Sequence, residues 1–174
     1  MNHILLLFRL PSCRCPIVSK YPLQSFNIFL NNLDCVLLKL LESFPNDLVI
    51  IGGDFNARIG PLNQLEPESM HDHSTFSPAR VSLDITLNKI GPLLVECLER
   101  HGLVNLNGRS ISDNPAKITY CRAVGRSVND LTSYNFDLLQ KIKDFEIKHI
   151  VTNSDHFSMH LMIWDINNYQ IKKK

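Results

Sequence analysis

Asp54 and Asn56 close the run Leu48-Val-Ile-Ile-Gly-Gly-Asp-Phe-Asn-Ala57, Asp155 and His156 sit together near the other end of the chain, and Asp130 lies between them in sequence. A carboxylate can hold a hard divalent ion or orient water, and a carboxylate bonded to an imidazole fixes its tautomer and raises its basicity. Asp130 interrupts a strand-like stretch, where an acid is costly unless it meets a cation or a polar donor, and a histidine is one such partner. Acid, amide, acid and imidazole together are the parts of a hydrolytic centre. Each also has a plainer reading: Asp54 and Asn56 suit an Asx turn after a strand, Ser154-Asp155 suits a turn cap, and Asp130 suits an exposed acid on an edge strand.

The elements that would position these groups follow from the apolar pattern. Residues 48–52 are a β-branched run ended by glycine, the mark of a fully buried strand, and residues two apart on an extended backbone share a face. Asp54 and Asn56 are therefore expected to point together from the strand's carboxyl end. Upstream, Leu30, Leu33, Leu37, Leu40, Leu41 and Phe44 recur at helical spacing until Pro45, and Ile90, Leu93, Leu94, Cys97 and Leu98 form a second stripe with Arg100, His101 and then Gly102 at its end. Residues 3–10, 103–106, 117–121, 127–134, 145–151 and 157–164 read as further strands, the last four joined closely enough for antiparallel pairing. The first of these must find its partner in later sequence. Residues 60–80 carry three prolines and no periodicity, and read as a loop over the site face. His71-Asp72-His73 within it could ligate a metal only if the two rings faced the same way.

With 174 residues, 44% apolar and 20% charged, the chain fits one globular domain, and a net charge of +1 gives no sign of a polyanionic partner. Local basic surface is confined to residues 122–126 and 172–174. Cys13, Cys15, Cys35, Cys97 and Cys121 are an odd set without paired spacing, so free thiols in an intracellular protein are expected. The run 4–8 is broken by Arg9 and lacks a basic flank, a poor secretory signal, and no stretch reaches the length of a membrane span. No small organic cofactor is indicated.

Four segments, Gly53-Asp-Phe-Asn-Ala57 with Arg58-Ile-Gly60, Leu103-Val-Asn-Leu-Asn-Gly-Arg109, Ser127-Val-Asn-Asp130 and Ser154-Asp-His156, occur in an ordered set. That set resembles the endonuclease/exonuclease/phosphatase superfamily, and within it the endonuclease domains of non-LTR (LINE-type) retrotransposons, over nearly the whole chain. The resemblance implies an α/β fold of DNase I type, a four-layered α/β sandwich of mixed sheets flanked by helices, here in partial form. It implies Mg²⁺- or Mn²⁺-dependent cleavage of phosphodiester bonds in DNA, and a nuclear site from the family's use of chromosomal DNA. By matched motif, Asp54 would orient or deprotonate the attacking water, and Asn56 would steady Asp54 and the phosphate. Asp155 would approach the metal, His156 would bond the phosphoryl oxygen, and Asp130 would hold His156.

The chain also departs from that pattern. Family members begin earlier, with strands carrying an asparagine and a Gln-Glu pair whose glutamate is the main metal ligand. Phe8 stands where they have a tyrosine, Asn129 and Leu131 replace an apolar residue and an aromatic, and Lys117-Ile118 replaces a glycine turn. Residues 1–174 are thus expected to be a truncated domain of this family. Its catalysis alone would be absent or very weak, and apolar faces meant for a missing sheet would be exposed. The alternative function is a non-catalytic remnant or interaction protein that keeps part of the fold.

Overall fold

The computed structural model describes residues 4–8, 23–70, 75–149 and 154–164, with side chains from residue 26 onward. The thiols of Cys13 and Cys15, the side chain of Phe8, the His71-Asp72-His73 tripeptide and the basic residues 172–174 lie outside the described residues. In chain order the elements are β1 (Ile4–Phe8), α1 (Leu23–Ser43), β2 (Leu48–Asp54), α2 (Gly91–Arg100), β3 (Leu103–Asn105), β4 (Tyr120–Arg122), β5 (Gly125–Ser127), β6 (Asp130–Asn135), β7 (Ile142–Lys148) and β8 (Ser158–Ile163).

The fold is α/β. A four-stranded mixed sheet has the order β1-β2-β6-β3, with β1 parallel to β2 and the other neighbours antiparallel. Strand β1 thus finds its partner in β2, Ile4 opposite Leu48 through Phe8 opposite Gly52. The pairs β4–β5 and β7–β8 are separate antiparallel hairpins.

Alternation along β2 assigns the two faces of the sheet. Val49 and Ile51 point to one side and pack with Leu33 and Leu37 of α1 and with Leu94, Val95, Cys97 and Leu98 of α2. Leu48 and Ile50 point to the other side and pack with Val104, Leu106, Tyr134, Phe145 and Ile147. A two-residue period on the strand meets a three-to-four-residue period on the helices, and burying each large aliphatic side chain contributes about 1.5–3 kcal/mol. Helix α2 begins with Pro92 in its first turn, where a missing N–H costs nothing, and ends at Gly102 with φ of 64°, a left-handed position that suits glycine.

One expectation is corrected here. Residues 127–134 are not one strand: the chain leaves β5, turns through Val128 and Asn129, and enters the main sheet as β6. Side chains impose the break, since Asp84 Oδ2 accepts from the Val128 N–H at 3.0 Å, and Thr119 Oγ1 accepts from the N–H groups of Asn129 at 3.1 Å and Asp130 at 3.0 Å. The described part of the 60–80 loop is tied to β3, with Asn63 Oδ1 accepting the Asn105 N–H at 2.8 Å, and its Leu65, Met70 and Phe76 pack with Leu48 and Ile50. Exposed apolar side chains gather on the extended segment 81–87, where Val81, Leu83, Ile85 and Leu87 face outward while Arg80 and Asp84 are buried.

Candidate active site

Asp54 ends β2 and Asp130 begins β6, and the antiparallel register sets them directly opposite each other. Both continue the even-numbered face of their strands, the one covered by β7 and β8. Two like charges across a strand pair repel, so this arrangement persists only if neighbours hold each carboxylate. Asp54 Oδ1 accepts from Asn129 Nδ2 at 3.0 Å and from the Asn56 N–H at 3.0 Å. Asp130 faces His156, whose Nδ1 lies 3.0 Å from both carboxylate oxygens. An ionised carboxylate can only accept, so this contact places the ring proton on Nδ1 and leaves Nε2 for another partner. Burial raises the pKa of Asp130 and the nearby Asp54 adds to the shift, while His156 and Thr119 oppose it.

His156 reaches this position because its segment is tied to the β4 hairpin. Phe157 N–H donates to the Thr119 carbonyl at 2.8 Å, Cys121 N–H donates to the Asp155 carbonyl at 2.9 Å, and Tyr120 and His156 form an isolated bridge. The Tyr120 ring lies 4.9 Å from the imidazole, centroid to centroid. Ser154 Oγ accepts the His156 N–H at 3.1 Å, so the turn expected of Ser154-Asp155 is present and is the device that aims the histidine.

A second layer of polar groups fixes the loop after β2. Asp84, buried, receives Arg58 Nε at 2.7 Å and Nη2 at 2.6 Å. Burial works against ionisation of Asp84, yet the guanidinium and the N–H groups of Val128 and Thr86 outweigh it and lower the pKa. Asn88 Nδ2 donates to the Asn56 carbonyl at 2.8 Å, and its Oδ1 accepts from the Gly91 N–H at 2.9 Å. A β-carbon on Gly91 would lie 2.3 Å from the Arg58 carbonyl oxygen, so only glycine lets α2 start this close to the site loop.

The structure thus brings Asp54, Asp130 and His156 together: one oxygen of each carboxylate and a ring nitrogen lie within 4.8 Å of one another. Asn56 joins differently from expectation. Strand β2 ends at Asp54, Asn56 takes a left-handed φ of 50°, and its backbone N–H rather than a shared strand face links it to Asp54. Asp155 turns to Arg122, its Oδ2 2.5 Å from Nε, and is not among the three clustered groups. Sequence reasoning gave no site role to Arg58 and Asn129, which it met only within motifs, nor to Thr119, Asp84 and Asn88. The alternation Arg80-x-Ser82-x-Asp84, polar residues spaced by apolar ones at the end of the predicted loop and just beyond it, was the available signal for the last layer.

Two carboxylates with one imidazole fit a hard divalent ion, since oxygen donors dominate and Asp54 is exposed, with no cationic side chain among the described residues paired to it. No helix among the described residues is long and apolar enough to cross a membrane. No family model and no curated protein matches the chain. Eleven chains of solved structures do. One is the endonuclease domain of TRAS1, a telomere-specific non-LTR retrotransposon, at 20% identity and a TM-score of 0.52. The match covers 85% of this chain and 52% of the other, so this chain spans about half the length of that structure, and the likeness is one of fold.

Proposed function

We propose that the Asp54–Asp130–His156 cluster is a phosphodiester-hydrolysing centre of endonuclease type, acting on DNA with Mg²⁺ or Mn²⁺ in a retrotransposon-derived domain that works in the nucleus. The observation that carries the proposal is the strand-mouth pair Asp54 and Asp130 with His156 Nδ1 held 3.0 Å from the second carboxylate. The four-layered sandwich of the DNase I-like superfamily is the architecture proposed for the complete domain, and the fold shared with the TRAS1 endonuclease domain supports it.

In this scheme Asp54 orients the attacking water and takes its proton, with one oxygen fixed by Asn129 and Asn56 so that the other is free to do so. Asp130 holds the imidazole through Nδ1–H, and when the ring carries a second proton, at Nε2, that N–H donates to the phosphoryl oxygen as negative charge develops there. Asn56 steadies Asp54 through its N–H. A divalent ion, when bound, supplies charge neutralisation on the phosphate and a more acidic water. Asp54 would be its ligand, since Asp130 and His156 hold each other, and Asp155 would join only by leaving Arg122. The cluster lies on open surface, with the His156 side chain 38% exposed, and that suits a polymer better than an enclosed small molecule. Turnover by residues 1–174 is proposed to be low, because with Asp130 serving His156 only Asp54 of the clustered carboxylates is left to hold the ion.

The test is nicking of supercoiled plasmid by purified protein over a range of Mg²⁺ and Mn²⁺. Slow nicking that chelator stops and that Asp54→Ala and His156→Ala each abolish is the expected result. Nicking indifferent to both substitutions, or none at any metal concentration, contradicts the proposal.

A further inference from the structure

Helices α1 and α2 carry a second cluster, on the opposite face of the sheet from the site above. Cys97 lies in the last turn of α2 and His101, four residues on, is the capping residue just past its end, so the two side chains leave the same side of the helix terminus. Asp34 reaches them from α1, and a carboxylate oxygen, the thiol sulfur and a ring nitrogen all fall within 4.8 Å of one another. We propose that Asp34, Cys97 and His101 form a binding site for a borderline-soft divalent cation of the zinc class, which clips α1 to α2.

The donor set selects the ion. Thiolate, imidazole and carboxylate together suit zinc or cobalt, whereas Mg²⁺, Mn²⁺ and Ca²⁺ favour oxygen alone. Three protein ligands leave a fourth position for water, and the partly exposed Asp34 is where it would enter. Ligand atoms around tetrahedral zinc stand about 3.3–3.8 Å apart, as follows from its bond lengths. The present cluster therefore closes on an ion by side-chain movement of about 1 Å, while the 2.9 Å contact between His101 Nε2 and Asp34 Oδ1 opens slightly. Arg100 Nη1 already donates to Asp34 Oδ1 at 2.8 Å, the kind of outer hydrogen bond that orients a ligating carboxylate. Cys97 is nearly fully buried, and burial raises its pKa, so the thiol keeps its proton until an ion replaces it. Binding releases that proton to solvent: the S–H bond breaks, a metal–sulfur bond forms, and nothing is oxidised or reduced. Thiolate and carboxylate then balance the ion's two positive charges.

Reduced full-length protein titrated with Co²⁺ and Zn²⁺ tests this, with readouts independent of DNA cleavage. One equivalent of Co²⁺ is expected to produce a thiolate-to-cobalt charge-transfer band and the visible bands of tetrahedral cobalt, and Zn²⁺ is expected to displace it. The thiolate band should vanish in Cys97→Val, which refills the volume, and persist in Cys35→Ser, Asp54→Ala and His156→Ala. Because Asp34 is at the surface, Asp34→Asn should stay folded by circular dichroism and bind at least about tenfold more weakly, with Arg100→Ala weaker by about 10–100-fold. A band that survives Cys97→Val, an affinity unchanged in Asp34→Asn, or no band in folded wild-type protein overturns the proposal.

Discussion

Thr119 is a buried hydroxyl that holds the break between β5 and β6, and a Val–Ser comparison at this position tests that role. It is fully buried, and Oγ1 accepts the N–H groups of Asn129 at 3.1 Å and Asp130 at 3.0 Å. Thr119→Val keeps the volume and leaves both donors buried without an acceptor. Each unsatisfied buried donor costs about 1–3 kcal/mol, so Val should destabilise by about 2–6 kcal/mol. Thr119→Ser keeps the acceptor and removes one methyl group, a loss of about 1 kcal/mol. Urea unfolding followed by circular dichroism separates the two. With a slope of about 2 kcal/mol/M, the midpoint should fall by about 1–3 M in Val and by about 0.5 M in Ser, at unchanged slope. A Val variant no less stable than the Ser variant would refute the argument, because the two N–H groups would then have found other partners at no cost.

The pH dependence of stability contains two opposed contributions. Burial pushes Asp113 up to about 6 despite the Gly108 and Lys117 N–H groups, so its folded state binds the proton more tightly. Its contribution is therefore complete below its ordinary value near 3.8 and is lost as pH rises through about 6. That amounts to about 3 kcal/mol, which urea midpoints across this window, flattened in Asp113→Asn, would check. Asp84 acts in reverse: its pKa is lowered, so its contribution is present above 3.8 and is lost as pH falls further, and Arg58→Ala should shrink that acid limb. Asn129→Ala removes one of the two donors on Asp54 and is expected to slow metal-dependent nicking by about 10–100-fold in protein that circular dichroism shows to be folded; an unchanged rate would mean that Asp54 is not held through Asn129.

What the sequence made legible were features set locally. The β-branched run 48–52 and the stripes through Leu33, Leu37, Leu94 and Leu98 needed only periodicity, and they form β2, α1 and α2. The Asp130–His156 contact was also anticipated, from the cost of an unpartnered acid in a strand. The turn readings of Asp54-x-Asn56 and Ser154-x-His156 were correct as well, and were no alternative to a site: these turns are how the side chains are aimed. What stayed hidden depends on distant partners. Asp155 is drawn aside by Arg122 on a hairpin 33 residues away, and the 127–134 stretch breaks because Thr119 and Asp84 capture its N–H groups. Arg80 lies in the segment that read as loop, and Asp84, Arg109 and Asp113 lie outside every predicted helix and strand, yet all four are buried. Local hydropathy has no term for a charge that is buried because main-chain groups satisfy it.

The most direct test of the central claim, that Asp54, Asp130 and His156 act as one centre, is a Mn²⁺ titration followed by paramagnetic broadening of backbone amide signals. Broadening that starts at residues 54, 129, 130 and 156 at low Mn²⁺ and disappears in Asp54→Asn is the expected result. Broadening that begins elsewhere, or that persists unchanged in Asp54→Asn, would contradict it.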